Sequence, residues 1–531
     1  MGIAVMIRDN IGYDFGAWKD AINKFIIDND EEKYDELILT NDSYFGPFFG
    51  WKTVFEKMGT KNIDFWGMTK GTSYNFEEIL VPVHIQSYFI VIKKRMLYSS
   101  DFKNYWKKIP YANTFMDCVA RNEGLFANYF EKLGYRWEVF CDTNPKKTGL
   151  LSATYLFNSD DMLPYYHLPL VKKKTFVRNL KEMEEFGLGE DVVKILKYIR
   201  NHTEYNIEMI YDNLLRVYPL EQIDDCLPPI YIINENEIQD NISKTIILDI
   251  NQINDFKIYA DYLNDLPSDV KLVLIYKNNT VLNIASDCLN RDYDTLSVKS
   301  TSLPAIINEC FDYVSKSDYL CFMKCTDSIP GNIVNIYDYA INKTIRNNGW
   351  DNLLYNSNYI NNITKIMKEN KIGLMIPPTP HNDYYLQSRV NNWKKQHKDV
   401  ETIINKMELQ LDDNYSIPPL LSYMYWCDTT LIKKIANDNN WIKDSNYNWQ
   451  DELVSTPFDY LLPYIAKKYG MMTAVAINNS YVASFMRSHI LAFEESKKIN
   501  PNDVQTDEIV KFISRHGKIF SVIKKIEKKF R

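Results

Sequence analysis

Three short stretches carry the side chains from which polar chemistry can be built: "RDNIGYDFG" (8–16), "TNDSYFG" (40–46) and "ARNEGLF" (120–126). In the first, Gly12 allows a tight turn and close backbone approach to a ligand. The helix that follows can offer N–H groups to an anion, and Arg8 adds a charge suited to phosphate. Asp14 can accept hydrogen bonds from a sugar, or simply cap the helix. In the second, Asp42 stands at the end of an apolar run between Asn41 and Ser43. A lone carboxylate there can ligate Mg²⁺ or Mn²⁺ bridging a diphosphate or hold a sugar hydroxyl; the tripeptide reads equally well as an Asx turn. In the third, Glu123 precedes an amphipathic run. A carboxylate with a raised pKa in a cleft can deprotonate an acceptor hydroxyl, and a helix N-terminus favours an acidic residue in any case. His84 sits beside Gln86, Ser87 and Tyr88, either as part of a site or as a hydrogen-bonded structural histidine.

The elements that must position these groups read as alternating strands and helices. Residues 3–8 read as a strand, 14–27 as a helix, "ELILT" (36–40) as a buried strand and "HIQSYFIVI" (84–92) as another. "EGLFANYFEKLG" (123–134) has helical spacing and stops at Gly134, and "YRWEVF" follows as a strand. This alternation predicts an α/β fold with a mainly parallel sheet. Residues 178–225 are charged and helical, a connector. "KTIILDI", "VKLVLIYK" and "DYLCFM" then open a second strand series.

An internal repeat links the two halves. "YDELILTNDSYFG" (34–46) is similar to "SDYLCFMKCTDSIPG" (317–331). "HIQSYFIVIKKRML" (84–97) is similar to "PLLSYMYWCDTTLIKKI" (419–435), and "LFANYFEKLGYRWEV" (125–139) to "LLPYIAKKYGMMTAV" (461–475). Three collinear matches argue for two copies of one fold.

Composition bounds the function. The 531 residues need more than one domain. Hydrophobic and charged fractions of 45% and 25% are those of a globular protein. A net charge of −7 supplies no global basic field for nucleic acid. The 38 tyrosines suit sugar-facing clefts, and equally an A/T-rich coding sequence. Eight scattered cysteines without a Cys-x-x-Cys point to buried thiols in a reducing compartment. With neither a signal peptide nor an apolar run of spanning length, the expected location is cytoplasmic.

Together "NIGYDFGAWKDAI", "TNDSYFGPF", "DFWGMT", "HIQSYFIVI" and Glu123 in its helix resemble the rhamnan synthesis protein F family, over about residues 3–480. The resemblance implies a glycosyltransferase of bacterial surface polysaccharide with two tandem GT-A-like, Rossmann-type domains. The expected boundaries are 1–177 for a catalytic domain, 178–225 for the connector, 226–495 for a degenerate second domain and 496–531 for a tail. The first domain is expected to lack its opening β-α-β unit, because the N-x-G turn arrives at residue 10. In the second, "SVKSTSLPAI" (297–306) offers neither the glycine nor the aspartate, and Asp327 stands in "KCTDS"; that copy is expected to be structural or acceptor-binding.

The resemblance further implies roles. Glu123 would be the catalytic base and Asp42 the carboxylate at the leaving diphosphate, with or without Mg²⁺ or Mn²⁺. Arg8, Asn10, Gly12, Asp14, Asn41 and Ser43 would line the donor site. Trp66, His84, Gln86 and Tyr88 would position sugars. The donor would be a nucleotide-sugar, foremost dTDP-L-rhamnose, and the acceptor a polysaccharide or lipid-linked glycan. The alternative is a non-catalytic glycan-binding or scaffold subunit. A phosphotransferase would need more basic phosphate ligands than these clusters offer. The basic amphipathic tail 507–531 suits an anionic membrane surface at the inner face of the cytoplasmic membrane, or a terminal helix packed on the protein.

Overall fold

The computed structural model describes residues 4–28, 32–142, 159–177, 190–220, 222–223, 230–238, 241–251, 253, 256–299, 306, 309–325, 336–379, 383–409, 424–437 and 457–487. Asp327 and the tail 496–531 lie outside them. The chain divides into two compact units, Met1–Ile210 and Tyr211–Arg531. The division falls within the helical segment expected as a connector, whose described helices are Glu190–His202 and Glu208–Val217.

The strands of the first unit are β1 (Glu36–Thr40), β2 (Tyr44–Phe45), β3 (Phe65–Gly67), β4 (Lys70–Gly71), β5 (Tyr74–Phe76), β6 (Ile79–Val81), β7 (His84–Ile85), β8 (Phe89–Lys93), β9 (Trp137–Val139) and β10 (Val171–Lys172). Its central sheet has the order β1-β8-β3-β9. β8 runs antiparallel to both β1 and β3, while β3 and β9 are parallel. The sheet is therefore mixed rather than mainly parallel, since β8 is inserted in reverse between strands that share one direction. Alternate side chains serve opposite faces. Phe65, Ile90 and Ile92 pack with helices α1 (Tyr13–Ile22), α3 (Ser100–Lys108) and α4 (Gly124–Lys132). Trp66, Phe89 and Val91 pack with α2 (Trp51–Gly59).

Residues 4–10 are not the expected strand: they are coil, with Val5 82% and Ile7 95% exposed. An isolated apolar alternation without a paired neighbour does not form a ladder. β1 is an edge strand with only Leu39 buried, not the fully buried run expected. "HIQSYFIVI" breaks into β7 and β8 at a turn over Gln86–Tyr88.

The second unit holds β11 (Ile230–Ile233), β12 (Lys244–Asp249), β13 (Lys271–Tyr276), β14 (Asp294–Ser297), β15 (Tyr319–Lys324), β16 (Ile372–Ile376), β17 (Tyr425–Asp428) and β18 (Met472–Asn478). They form one sheet in the order β11-β18-β16-β17-β15-β12-β13-β14. Only β17 runs against the rest. β12 is buried at all its positions, as a strand covered on both faces must be.

Within this sheet, β15-β17-β16-β18 repeats the order and directions of β1-β8-β3-β9. The three sequence matches fall on corresponding elements: β1 and β15, β8 and β17, α4–β9 and the helix Pro457–Lys468 with β18. Even the junctions agree. Gly134 has φ 88° and Gly470 φ 72°, the left-handed helix stop that glycine adopts without strain. Tyr135 N donates to the Phe130 carbonyl at 3.1 Å, and Met471 N to the Ala466 carbonyl at 2.9 Å. The strands β12, β13 and β14 have no counterpart among the described residues of the first unit.

Candidate functional site

The N-x-G turn holds α1 in place. Gly12 has φ 76°, and a side chain there would strike the Tyr111 ring at 2.8 Å. The glycine thus answers a backbone requirement and a packing one. Gly12, not Asp14, is the N-cap, and Asp14 lies in the first turn of α1. Asn41 joins this helix to the loop after β1: its Nδ2 donates to Asp14 Oδ2 at 2.8 Å. Its Oδ1 accepts from Ser43 N at 3.0 Å and Ser43 Oγ at 2.6 Å. The tripeptide is therefore an Asx turn and also the group that aims Asp14.

Arg8, expected to line the donor site, is tied to α1. Its guanidinium pairs with Asp20 at 2.8 Å and donates to the Ile11 carbonyl at 2.6 Å. With no strand to carry it past the turn, the side chain folds back to brace α1. Asn10 is exposed.

Glu123 closes a π-helical stretch, Cys118–Glu123, that runs into α4. Such bulges displace side chains from the regular helix and recur at functional sites. Ser87 Oγ donates to Glu123 Oε2, and His84 Nε2 lies 3.7 Å from Oε1. His84 Nδ1 contacts the Pro82 carbonyl at 2.8 Å. That oxygen only accepts, so Nδ1 carries a proton and Nε2 is turned to Glu123. Glycines make room for the arrangement. A Cβ at Gly71, which pairs with His84 across β4 and β7, would enter the imidazole, and one at Gly124 would strike Val81. Gln86 and Tyr88 brace the turn through Thr69: its hydroxyl donates to Gln86 Oε1 at 2.6 Å and meets the Tyr88 hydroxyl at 2.9 Å.

Burial alone would raise the pKa of Glu123. His84, Lys172 and Ser87 outweigh it and hold the carboxyl below its ordinary value. This corrects the expectation of a raised pKa: the cleft is lined with groups that favour the anion. Asp14 moves the other way, raised by burial and by the charges of Asp42 and Glu123 against the opposing help of Asn41 and Lys172.

Lys172 escaped the sequence reading. β10 pairs antiparallel with β2, setting Lys172 opposite Tyr44. Its Nζ lies 4.9 Å from the centre of the Tyr88 ring, and burial, joined by the charge of Lys174, lowers its pKa against the pull of Glu123 and Asp14. Lys173 Nζ stands 3.6 Å from Asp42 Oδ2, and Lys174 Nζ is 5.5 Å from the centre of the Phe115 ring. The run "KKK" is a possible signal, but nothing local in it points to residues 14, 42 and 123.

The structure therefore brings together Asp14, Asn41, Asp42, Ser43, His84, Gln86, Ser87, Tyr88 and Glu123, beyond the carboxyl ends of β1 and β3. Trp66 is not among them. It is fully buried, with ring centres 5.5 Å from Phe55 and 5.9 Å from Phe89, because its strand position faces α2. The residues do not fit a metal. Asp42 projects a fully exposed side chain toward Lys173. Among the described residues no three His, Cys, Asp or Glu side chains gather around a common point. A cleft of about 270 Å³ opens at the end of β9, lined by Lys57, Lys61, Lys70, Phe140, Asp142 and Tyr166 among others. Among the described residues no helix is long and apolar enough to cross a membrane.

Comparison with known proteins places this geometry in context. Over 131 residues, 25% of this chain, it is 27% identical to "Uncharacterized protein y4gN" of Sinorhizobium fredii, covering 33% of that protein. Over 154 residues, 29% of this chain, it is 25% identical to "Virulence protein VirA" of Vibrio anguillarum, covering 47% of that protein. The chain thus spans less than half the length of these curated relatives. The family model for rhamnan synthesis protein F matches residues 3–469, which contain every member of the cluster around Glu123. The chain belongs to the rhamnan synthesis protein F family.

Proposed function

We propose that the chain is a glycosyltransferase of bacterial surface polysaccharide synthesis. It would transfer L-rhamnose from dTDP-rhamnose, with inversion, to a glycan acceptor. The observation that carries this reading is Glu123, held as the anion by His84, Lys172 and Ser87 against its burial, beside the Asp14–Asn41 pair. In the reaction Glu123 takes the proton of an acceptor hydroxyl. The hydroxyl oxygen forms its bond to the anomeric carbon as the bond to the diphosphate oxygen breaks. The nucleoside diphosphate leaves with that electron pair. Asp14, aimed by Asn41, accepts hydrogen bonds from donor sugar hydroxyls. His84 holds the carboxylate in its working orientation.

The strand orders support a GT-A-like architecture for both units. The second unit's eight-stranded sheet is parallel except for β17, and ligands bind open α/β sheets beyond the carboxyl ends of the strands. The first unit puts Asp42 and Glu123 at that edge of the repeated half. The test is hydrolysis and transfer with dTDP-, UDP- and GDP-sugars. Turnover abolished in Glu123→Gln is expected; turnover retained in that variant refutes the assignment.

A second reading is a glycan-binding or scaffold subunit. Binding of glycan with no turnover of any nucleotide-sugar would select it. The membrane surface belongs to the same proposal through residues 507–531; equal liposome flotation by the full chain and by a chain ending at 505 refutes that part.

A further inference from the structure

We propose that Lys172, Lys173 and Lys174 seat the diphosphate of the nucleotide-sugar, in the place assigned from sequence to Asp42 and a metal. The ligand's identity rests on the transferase reading; the anion seat rests on the following geometry.

β10 ends at Lys172, and Lys173–Thr175 continue as a 3₁₀ turn. Successive side chains of such a turn diverge by about a third of a circle, so neighbouring lysines fan out rather than alternate. Lys172 reaches over Tyr88 toward Glu123 and Asp14. Lys173 reaches Asp42, and its backbone N–H donates to the Ser43 carbonyl at 2.8 Å. Lys174 lies over Phe115, whose ring packs 6.1 Å from Tyr13, the first residue of α1. Lys172 and Lys173 thus border the loop 41–45, and Lys174 lies over the ring that packs on the first residue of α1. The helix end adds its own partial positive charge.

Each carboxylate that a metal would need already feels the charge of one of these lysines: Asp42 stands 3.6 Å from Lys173 Nζ, and Asp14 and Glu123 attract Lys172. The Lys173–Asp42 pair is weakly held, because the Asp42 side chain is fully exposed. A phosphate can displace it and leave Asp42 in water at little cost. As the anomeric bond breaks, negative charge grows on the diphosphate, and fixed ammonium groups stabilise it there.

The experiment is calorimetric titration of the full chain with inorganic pyrophosphate and with UDP, dTDP and GDP, in EDTA. The variants are Lys173→Gln, Lys174→Gln, the double variant and Lys173→Arg. Lys52→Gln, a surface position on α2, is the control, and unchanged melting verifies folding. The wild type is expected to bind pyrophosphate or a nucleoside diphosphate without metal. Each glutamine should weaken binding about tenfold, the size of one charge-assisted hydrogen bond. Lys173→Arg should stay near wild type. Binding that needs added Mg²⁺ or Mn²⁺, or variants that bind as the wild type does, overturns the seat. Pyrophosphate binding lost in the lysine variants, with no nucleotide-sugar turned over by the wild type, retains the seat and rejects the transferase. Turnover that is unaltered in the lysine variants rejects the seat and retains the transferase.

Discussion

Adding one methyl group at Gly71 tests whether the His84–Glu123 contact is built from its far side. The new Cβ would lie 2.5 Å from His84 Cε1 and closer still to Nε2. Ordinary carbon contacts begin near 3.5 Å, so the ring must retreat by about 1 Å or β4 must lift from β7. His84 is 3% exposed and anchored to the Pro82 carbonyl, so it has little space to yield. Overpacking of this kind costs about 1–3 kcal/mol, or about 2–4 °C in melting temperature per kcal/mol for a unit of this size. On the proposed mechanism, a shift of about 1 Å at the base also costs about 100-fold in turnover. The assay is a double-mutant cycle on melting of the first unit: wild type, Gly71→Ala, His84→Ala and both together. Without the imidazole the added methyl meets open space, so its cost should fall toward zero. The coupling should then approach the whole 1–3 kcal/mol. An equal cost of Gly71→Ala in both backgrounds would refute the reasoning.

Glu123 and Asp14 should respond oppositely to pH. The folded pKa of Glu123 is lowered, so its stabilisation is present above the ordinary carboxyl value and lost as pH falls through the lowered one. Glu123→Gln should melt below wild type at neutral pH and converge with it in acid; parallel curves would contradict this. The folded pKa of Asp14 is raised, so its contribution is present below the ordinary value of 3.8 and lost as pH rises through the raised one. Asp14→Asn should therefore melt above wild type at neutral pH while losing donor binding, and a loss of stability there would count against it. Trp66→Ala should cost about 3–5 kcal/mol in denaturant unfolding, since the ring is wholly buried; a variant that unfolds normally but binds sugar poorly would restore the stacking role. Asn41→Ala, which strips the Asp14 contact, should weaken donor binding at least as much as stability, measured by titration and melting together.

Much of this protein was legible in its residues because it is local. "ELILT" is a strand of β-branched and aliphatic residues, and the run to Gly134 is a helix with its stop. The repeat was legible too, since two copies of one sheet half impose the same apolar order on both. Other features depended on partners far along the chain. Residues 4–10 have a strand's pattern and no pairing strand among the described residues. Phe65 and Trp66 are both apolar, so alternation could not say which faced α2; only packing in the sheet placed Trp66 in the core. Gly71 reads as a turn glycine until β4 meets β7 and the imidazole fills its missing side chain. Lys172 lies far in sequence from both Asp14 and Glu123, and only the β10–β2 ladder brings it to them. The sequence determined the elements and their order, because backbone sterics and side-chain periodicity act over a few residues. The tertiary structure decided the site, because its charges and clearances are set by long-range pairings that the core's burial stabilises.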